Sequence, residues 1–357
     1  MISFRDFHTQ TFLAEWENKG GALDGALADY FRRHKALGSK DRVEVSEKVY
    51  THVRWQLLPE GKTFQDTSLP LPVRASAPTA LWEAFVRSFG EEQAFHLLIE
   101  SNYPAPTCVR VNPMKIERAA LFERWKNTYD ISLTTQSPYG IIFNKKITFF
   151  SLPEFKEGLF EVQDEASQLI SNLVDPQPGE AILDWCAGSG GKTLAYAYKT
   201  KGKGQIYLHD VRKGILYEAK KRLARAGVQN AQLLFNLEET KQEKLKKKMD
   251  WVLVDAPCTG TGTLRRNPDM KYKYDDAMLK RFVGEQRMIF EKALSFLKPT
   301  GKIVYATCSV LQEENDEQVA HFLKTYPLTL VQEPFRSLPA RGAMDGMFAA
   351  SFKYNEK

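Results

Sequence analysis

Two short stretches carry a cysteine straight off the end of an apolar run. They are WVLVDAPCTGTGTLRRNPD, which holds Cys258, and GKIVYATCSV, which holds Cys308. Both runs read as buried β-strands, so each thiol falls where a strand gives way to a loop. A thiol beside a cation or a helix N-terminus loses its proton more readily than a free one and becomes a nucleophile. Lys192, Arg265 and Arg266 are the candidate cations, and Asp255 adds an acid at the strand end that leads to Cys258. Cys186, inside a glycine turn, and Cys108, inside a strand-like segment, read instead as small buried hydrophobes. None of the four cysteines forms a C-x-x-C pair or sits beside a histidine cluster, so neither a metal site nor a disulfide framework is expected.

A third motif, DWCAGSGGKT, supplies a binding loop. Cys186, Ala187, Gly188, Ser189, Gly190, Gly191 and Lys192 make a turn whose glycines let the backbone pass close to a ligand before entering a helix. It is not a P-loop, because Ala187 stands where the first glycine is needed. It is not a full dinucleotide fingerprint either, because no third glycine follows Gly191. Asp210, at the end of the next strand, is placed to accept hydrogen bonds from ribose hydroxyls. A nucleoside-type ligand without a triphosphate is predicted.

Two thiols, an acid and such a ligand suit one reaction class. Carbon 5 of a pyrimidine is a poor nucleophile. A thiolate that adds to carbon 6 turns the ring into an enamine-like species, whose carbon 5 can attack an electrophilic methyl group. An acid at ring nitrogen 3 stabilises the adduct, and a base then takes the carbon 5 proton so that the thiol can leave. A base inside a stack cannot reach such a site, so the target nucleotide has to be unpaired or flipped out.

The elements that must position these groups follow from the rest of the chain. Its 357 residues exceed one ordinary domain, so two or three are expected. The first hundred read as helical: GALDGALADYFRRHKALG, SKDRVEVSEKVYTHVRWQLL with Ser39 as candidate N-cap, and APTALWEAFVRSFGEEQAFHLLIESN. Residues 101–160 read as a small α/β unit, with GIIFNKKITFF as strands around a turn. Its Arg110, Lys145, Lys146, Phe149 and Phe150 are candidates for stacking on bases and holding phosphates. The alternative there is core aromatics with solvated cations. From residue 161 to 357 strands and helices alternate, which predicts a mostly parallel sheet covered on both faces. Ligands of such sheets bind beyond the carboxyl ends of the strands. Cys258, Cys308, the glycine turn and Asp210 all fall at those ends. A net charge of +6 leans toward a polyanionic partner. The basic run KQEKLKKKMD is either part of that surface or a solvated helix face. No apolar stretch reaches the length of a membrane helix, and the N-terminus lacks a signal-peptide layout. A cytoplasmic location, no membrane partner and a monomer are the default expectations.

Taken together and in order, VQDEASQLI, DWCAGSGGKT, DAPCTGTGTLRRNPD, YATCSVLQEEN and DGMFAASFKY resemble the RsmB/Nop2/Sun family of S-adenosylmethionine-dependent RNA cytosine-5 methyltransferases. APTCVRVNPMK resembles the small RRM-like RNA-recognition unit that precedes the family's catalytic domain, and residues 1–100 resemble a shortened NusB-like domain. The resemblance implies a Rossmann-like domain with a seven-stranded sheet, S-adenosylmethionine as cofactor and 5-methylcytosine in RNA as product. Ribosomal RNA is the expected substrate, with transfer RNA as the alternative. It implies Cys308 as nucleophile and Cys258 as the thiol that assists release. Asp255 would meet the nitrogen 3 edge of the base, and Lys192 would hold or polarise it. Cys186 to Lys192, Asp210, Asn236 and Asp255 would line the cofactor site. Two departures stand out: Ser189 replaces the family's usual proline, and Asn236 stands near the position where an aspartate is usual. A non-catalytic ribosome-assembly protein on the same fold is the competing reading, and it has no need of both thiols. Amino-group methylation wants an aromatic after Asp-Pro-Pro, which Ala256-Pro257-Cys258 does not offer. The incomplete fingerprint argues against a nicotinamide oxidoreductase.

Overall fold

The computed structural model describes residues 2–145, 147–235 and 239–355. The chain divides into two compact units. The first contains the residues up to Pro104 together with Thr263–Asp276; the second contains Ala105–Gly262 and the residues from Ala277 on.

The first unit is built from helices α1 (Phe4–Lys19), α2 (Leu23–Arg33), α3 (Ser39–Trp55), α4 (Leu71–Arg74), α5 (Thr79–Phe89) and α6 (Glu91–Glu100). Val45, Val49 and Val53 recur every fourth residue on α3. They therefore share one face and pack with Phe12, Leu27 and Tyr30. Ser39 is the first helical residue rather than the cap. Gly38 takes the cap position, and its N–H donates to the Asp41 carboxylate at 3.2 Å. Residues 263–276, which the sequence places in the catalytic domain, are built into this helical unit. The Lys271 ammonium is fully buried and donates to Arg54 O, Ser76 O and Asn102 Oδ1, each at 2.8 Å. The Tyr272 hydroxyl donates to Val53 O at 2.9 Å, and Arg54 Nη2 donates to Arg265 O at 3.1 Å.

The second unit holds two sheets. The smaller is antiparallel, with β1 (Thr107–Val111), β2 (Ile131–Leu133), β3 (Gly140–Phe143) and β4 (Phe160–Val162) in the order β2-β3-β1-β4. It carries α7 (Arg118–Trp125) and α8 (Pro153–Lys156). Its core gathers Val109, Val111, Leu121, Trp125, Phe143, Phe149 and Phe160. Two of the residues singled out for RNA are therefore interior. Phe149 fills the core, because it begins a 3-10 turn (Phe149–Ser151) and not the strand expected there. Arg110 is buried on β1 with its Nε donating to Gln163 Oε1 at 2.7 Å. Phe150 and Lys145 do face solvent, and Lys146 lies outside the described residues.

The larger sheet has eight strands: β5 (Ala181–Asp184), β6 (Gln205–Leu208), β7 (Ala231–Leu233), β8 (Met249–Asp255), β9 (Leu297–Thr307), β10 (Leu328–Leu330), β11 (Phe335–Ser337) and β12 (Met347–Tyr354). Seven run in the order β10-β12-β9-β8-β5-β6-β7; the eighth, β11, pairs beside them on β12. The strands from β7 to β9 are parallel, and β12 returns antiparallel to β9. Successive residues feed opposite faces. Ile182, Leu253 and Val304 enter one apolar cluster, and Leu183, Val252 and Ile303 enter the other. That is why these strands read as unbroken apolar runs: both faces are covered. The covering helices are α9 (Glu165–Asn172), α10 (Gly191–Tyr196), α11 (Lys213–Ala226), α12 (Glu239–Leu245), α13 (Asp276–Leu294) and α14 (Asp316–Thr325). From β5 the chain steps to β6 on one side, while β8 lies on the other. The carboxyl ends of β5 and β8 thus flank the switch point where such folds bind ligands. Among the described residues, no helix is long and apolar enough to cross a membrane.

Candidate active site

The two thiols meet. Cys258 follows β8 and Cys308 follows the adjacent parallel strand β9, and their sulfurs lie 3.3 Å apart as free, half-buried thiols. They sit in different fields. The hydrogen bond from Cys258 lowers the Cys308 thiol below its ordinary range, against burial and the Asp255 carboxylate, which raise it; the Lys192 ammonium adds a smaller lowering. Cys258 is raised by that same hydrogen bond, by burial and by the Glu314 carboxylate. Of the two thiols, Cys308 is therefore the more readily ionised. Lys192, at the start of α10, donates to Asp255 Oδ2 at 2.6 Å. Burial works against the Lys192 charge, but Asp255 outweighs it and the ammonium is held. Of the three cations expected to act on the thiols, Lys192 lowers Cys308, though by less than its partner Asp255 raises it; Arg265 and Arg266 belong to the helical unit.

The loops carrying the thiols are tied by a buried polar network. Glu314, fully buried after β9, accepts from Thr259 N at 2.9 Å, from Thr259 Oγ1 at 2.5 Å and from Gln286 Nε2 at 3.0 Å. Burial raises the Glu314 carboxyl, and the hydrogen bonds from Ser309, Thr259 and Gln286 oppose that rise. Gly262 N donates to Cys308 O at 2.9 Å, and Gly346 N donates to Gly262 O at 2.9 Å. A Cβ on Gly262 would stand 1.9 Å from Gly346 O and 2.9 Å from Cys308 O, so only glycine permits this approach. Glu314 belongs to a motif that the sequence singled out, but nothing in its type or spacing marked it as the clamp on the Cys258 loop.

The glycine turn lies between β5 and α10. Gly188 and Gly190 have positive φ of 52° and 77°, which the turn needs to reach the helix. Gly188 N donates to Asp210 Oδ2 at 2.9 Å, so the turn and the end of β6 are joined at the carboxylate expected to take ribose hydroxyls. Burial raises Asp210, but hydrogen bonds from Arg212 and Gly188 outweigh it, and the group is an ionised acceptor. Val211 follows it with 85% of its surface exposed, an apolar side chain left uncovered beside a polar acceptor. Sequence reasoning missed it, because a single valine after a strand carries no signal. An exposed apolar surface beside a ribose acceptor and an open glycine turn fit a nucleoside-bearing cofactor. Burial and the neighbouring carboxylates push the Cys186 thiol well up, so it stays a neutral thiol in this turn. Behind the turn, Asp184 is buried and accepts from Thr193 Oγ1 at 2.6 Å, while its Oδ1 has no partner. Burial pushes its carboxyl up to about 7. Asn236 lies outside the described residues. Among the described residues, no group of His, Cys, Asp and Glu could hold a metal ion.

Known proteins resemble this chain in sequence and in fold. The family profile "16S rRNA methyltransferase RsmB/F" matches residues 171–353. Ribosomal RNA small subunit methyltransferase B of Serratia proteamaculans is 38% identical, across 92% of this chain and 72% of that protein. A solved methyltransferase homologue from Pyrococcus horikoshii has a TM-score of 0.69 at 28% identity, covering 82% of this chain and 100% of its own. NSun6 from the same organism, solved with SFG, an S-adenosylmethionine analogue, shares the fold with a TM-score of 0.71 at 20% identity, over 78% of this chain and 99% of that one. The chain is thus an S-adenosylmethionine-dependent methyltransferase by fold and cofactor, and it belongs to the RsmB/F family, the RsmB type of the Nop2/Sun methyltransferases.

Proposed function

We propose that this chain methylates carbon 5 of a cytosine in ribosomal RNA through a covalent adduct on Cys308. The observation that carries this reading is the asymmetry of the thiol pair. Cys308, lowered beside Lys192 and Cys258, is the nucleophile; Cys258, raised and facing Glu314, is the proton carrier. A binding protein would have no use for two sulfurs brought 3.3 Å apart at the ends of adjacent strands.

In the proposed mechanism Cys308 adds to carbon 6 of a flipped-out cytosine. Asp255, held by Lys192, orients the base at its nitrogen 3 edge, and the Lys192 ammonium meets the negative charge that develops on the ring as it forms. The glycine turn, Asp210 and Val211 would hold S-adenosylmethionine, which would supply the methyl group to carbon 5 and leave as S-adenosylhomocysteine. Cys258, having passed its own proton to solvent, then takes the carbon 5 proton as a thiolate, the Cys308–carbon 6 bond breaks, and the Cys308 thiolate is restored. The helical unit and the small antiparallel sheet, the RRM-like unit of this reading, supply RNA contacts beyond the target base. Phe150 and Lys145 are the exposed candidates on the small sheet.

The test is a single-base map of 5-methylcytosine in total RNA from cells with and without the gene. One ribosomal cytosine should lose its methyl group in the deletion and regain it with the wild-type protein but not with Cys308→Ser. A lost signal in transfer RNA would redirect the substrate. An unchanged map would remove the methylation reading.

A further inference from the structure

The turn Gly188-Ser189-Gly190-Gly191 has little rigidity of its own, since three of its four residues are glycines. Ser189 provides its only side chain. Arg222, on α11, grips that residue twice: its Nη1 donates to Ser189 Oγ at 2.5 Å and to Ser189 O at 3.1 Å. The same guanidinium is anchored from behind. Its Nε and Nη2 donate to Glu161 Oε2 at 3.2 and 3.0 Å. Glu161 lies on β4 of the small sheet, is buried, and takes Arg225 on its other oxygen. A second line runs parallel. Arg110 donates to Gln163, and Gln163 Nε2 donates to Gly191 O at 3.3 Å. Both lines pass through a residue in or just after β4 and end on the same turn.

We propose that Arg222, anchored by Glu161, is a positioning residue for the cofactor: it acts through Ser189 to hold the glycine turn in its binding conformation. The proposal rests on the placement of S-adenosylmethionine at that turn. Its physical basis is preorganisation. A turn that must be ordered on binding loses that ordering cost from its affinity, whereas a turn already fixed does not. Arg222 is suited to the task because a planar fork can satisfy a carboxylate and a second acceptor at once, which a lysine ammonium on a flexible stem cannot. The competing account is that the pair merely fastens the small sheet to α11. That account predicts a loss of stability with no change in cofactor binding below the melting temperature.

The experiment is calorimetric titration of the full chain with S-adenosylhomocysteine, beside thermal melting and steady-state kinetics. Arg222→Met should weaken binding about ten-fold, the scale set by losing hydrogen bonds from a charged donor. It should raise KM for the cofactor more than it lowers kcat. Arg222→Lys should fall between the two. Ser189→Ala, a milder change that leaves the fold in place, should weaken binding on its own but add nothing in the Arg222→Met background. Wild-type affinity in folded Arg222→Met and Ser189→Ala proteins would overturn the proposal while leaving the cofactor site intact. A wild-type protein that binds no S-adenosylhomocysteine would instead overturn the placement of the cofactor, and this inference with it.

Discussion

Replacing Cys258 by alanine separates its two proposed roles. The substitution removes the S–H that donates to Cys308 across 3.3 Å. Hydrogen bonds to charged partners contribute about 1.5–3 kcal/mol, and a thiol is a weak donor, so the lower end applies. At about 1.4 kcal/mol per pKa unit, Cys308 should rise by about one unit. Attack then slows about ten-fold wherever the thiolate fraction limits it, and recovers at higher pH. Release should fail independently, because no sulfur remains to take the carbon 5 proton. The assay is single-turnover reaction with RNA and S-adenosylmethionine across a pH series, resolved on denaturing gels. Cys258→Ala should accumulate a protein–RNA adduct that survives denaturation. The pH profile for its appearance should lie about one unit above that of wild-type methyl transfer, the shift worked out above. An adduct with an unshifted profile would mean that Cys258 acts in release only. No adduct, with turnover intact, would reduce it to a packing residue and refute the reasoning about the pair.

Four further outcomes are expected. Cys308→Ser should abolish methyl transfer while S-adenosylhomocysteine still binds by calorimetry; retained turnover would remove the nucleophile assignment. Gly262→Ala should force apart the backbones of Gly346 and Cys308, costing about 1–3 kcal/mol as overpacking does and disturbing the thiol pair; an unchanged melting temperature and rate would show the loops to be pliant. Asp184 has a folded pKa of about 7, above its ordinary 3.8. The folded state therefore holds more protons between these values, and stability on its account falls as pH rises from 3.8 to 7. Asp184→Asn should flatten that slope in melts across the window, and an identical slope would contradict the burial argument. Lys271 is the mirror case. Burial lowers it from 10.5 to about 7, so the unfolded state holds more protons in between and stability rises with pH over that window. Lys271→Met should lose the rise in denaturant melts at pH values within that window, and a variant that keeps it would place the titration elsewhere.

What the sequence disclosed follows from how each feature is encoded. Strands β5, β8 and β9 were legible because burial on both faces writes them as apolar runs, and the thiols and Asp255 were legible because they stand where those runs stop. Lys192 and Asp210 came with the glycine turn for the same reason. Strands β2 and β4 were not legible. Each has only three residues, too few for an alternating pattern to declare itself. For Arg110 the sequence left an RNA contact and a solvated cation open, and for Phe149 base stacking and a core position, because residue type alone does not reveal an interior partner. Gln163 satisfies the first, and the aromatic core of the small sheet absorbs the second. Glu314, Glu161 and Arg222 act through partners many residues away, at Thr259, Arg222 and Ser189. Charge patterning along the chain shows no trace of such pairings.

The deepest departure concerns where one domain stops. Gly262 belongs to the catalytic unit and Thr263 to the helical one, so the polypeptide leaves the catalytic unit four residues after Cys258 and returns to it at Ala277. Along the way it places a buried ammonium among three oxygens from Arg54, Ser76 and Asn102. A neutral amine has only two N–H groups, so the three acceptors reward the charged form that burial opposes, and removing them strands the cation. The helices before residue 105 are therefore not a detachable module. Cutting them away would leave residues 263–276 without their core and the chain after Cys258 without a fixed continuation. Any loss of activity in such a truncation has to be read as damage to that continuation before it is read as lost RNA affinity. Lys271→Met in the full chain is the variant that tells the two apart, because it alters the anchor and leaves the exposed surface of the helices as it was.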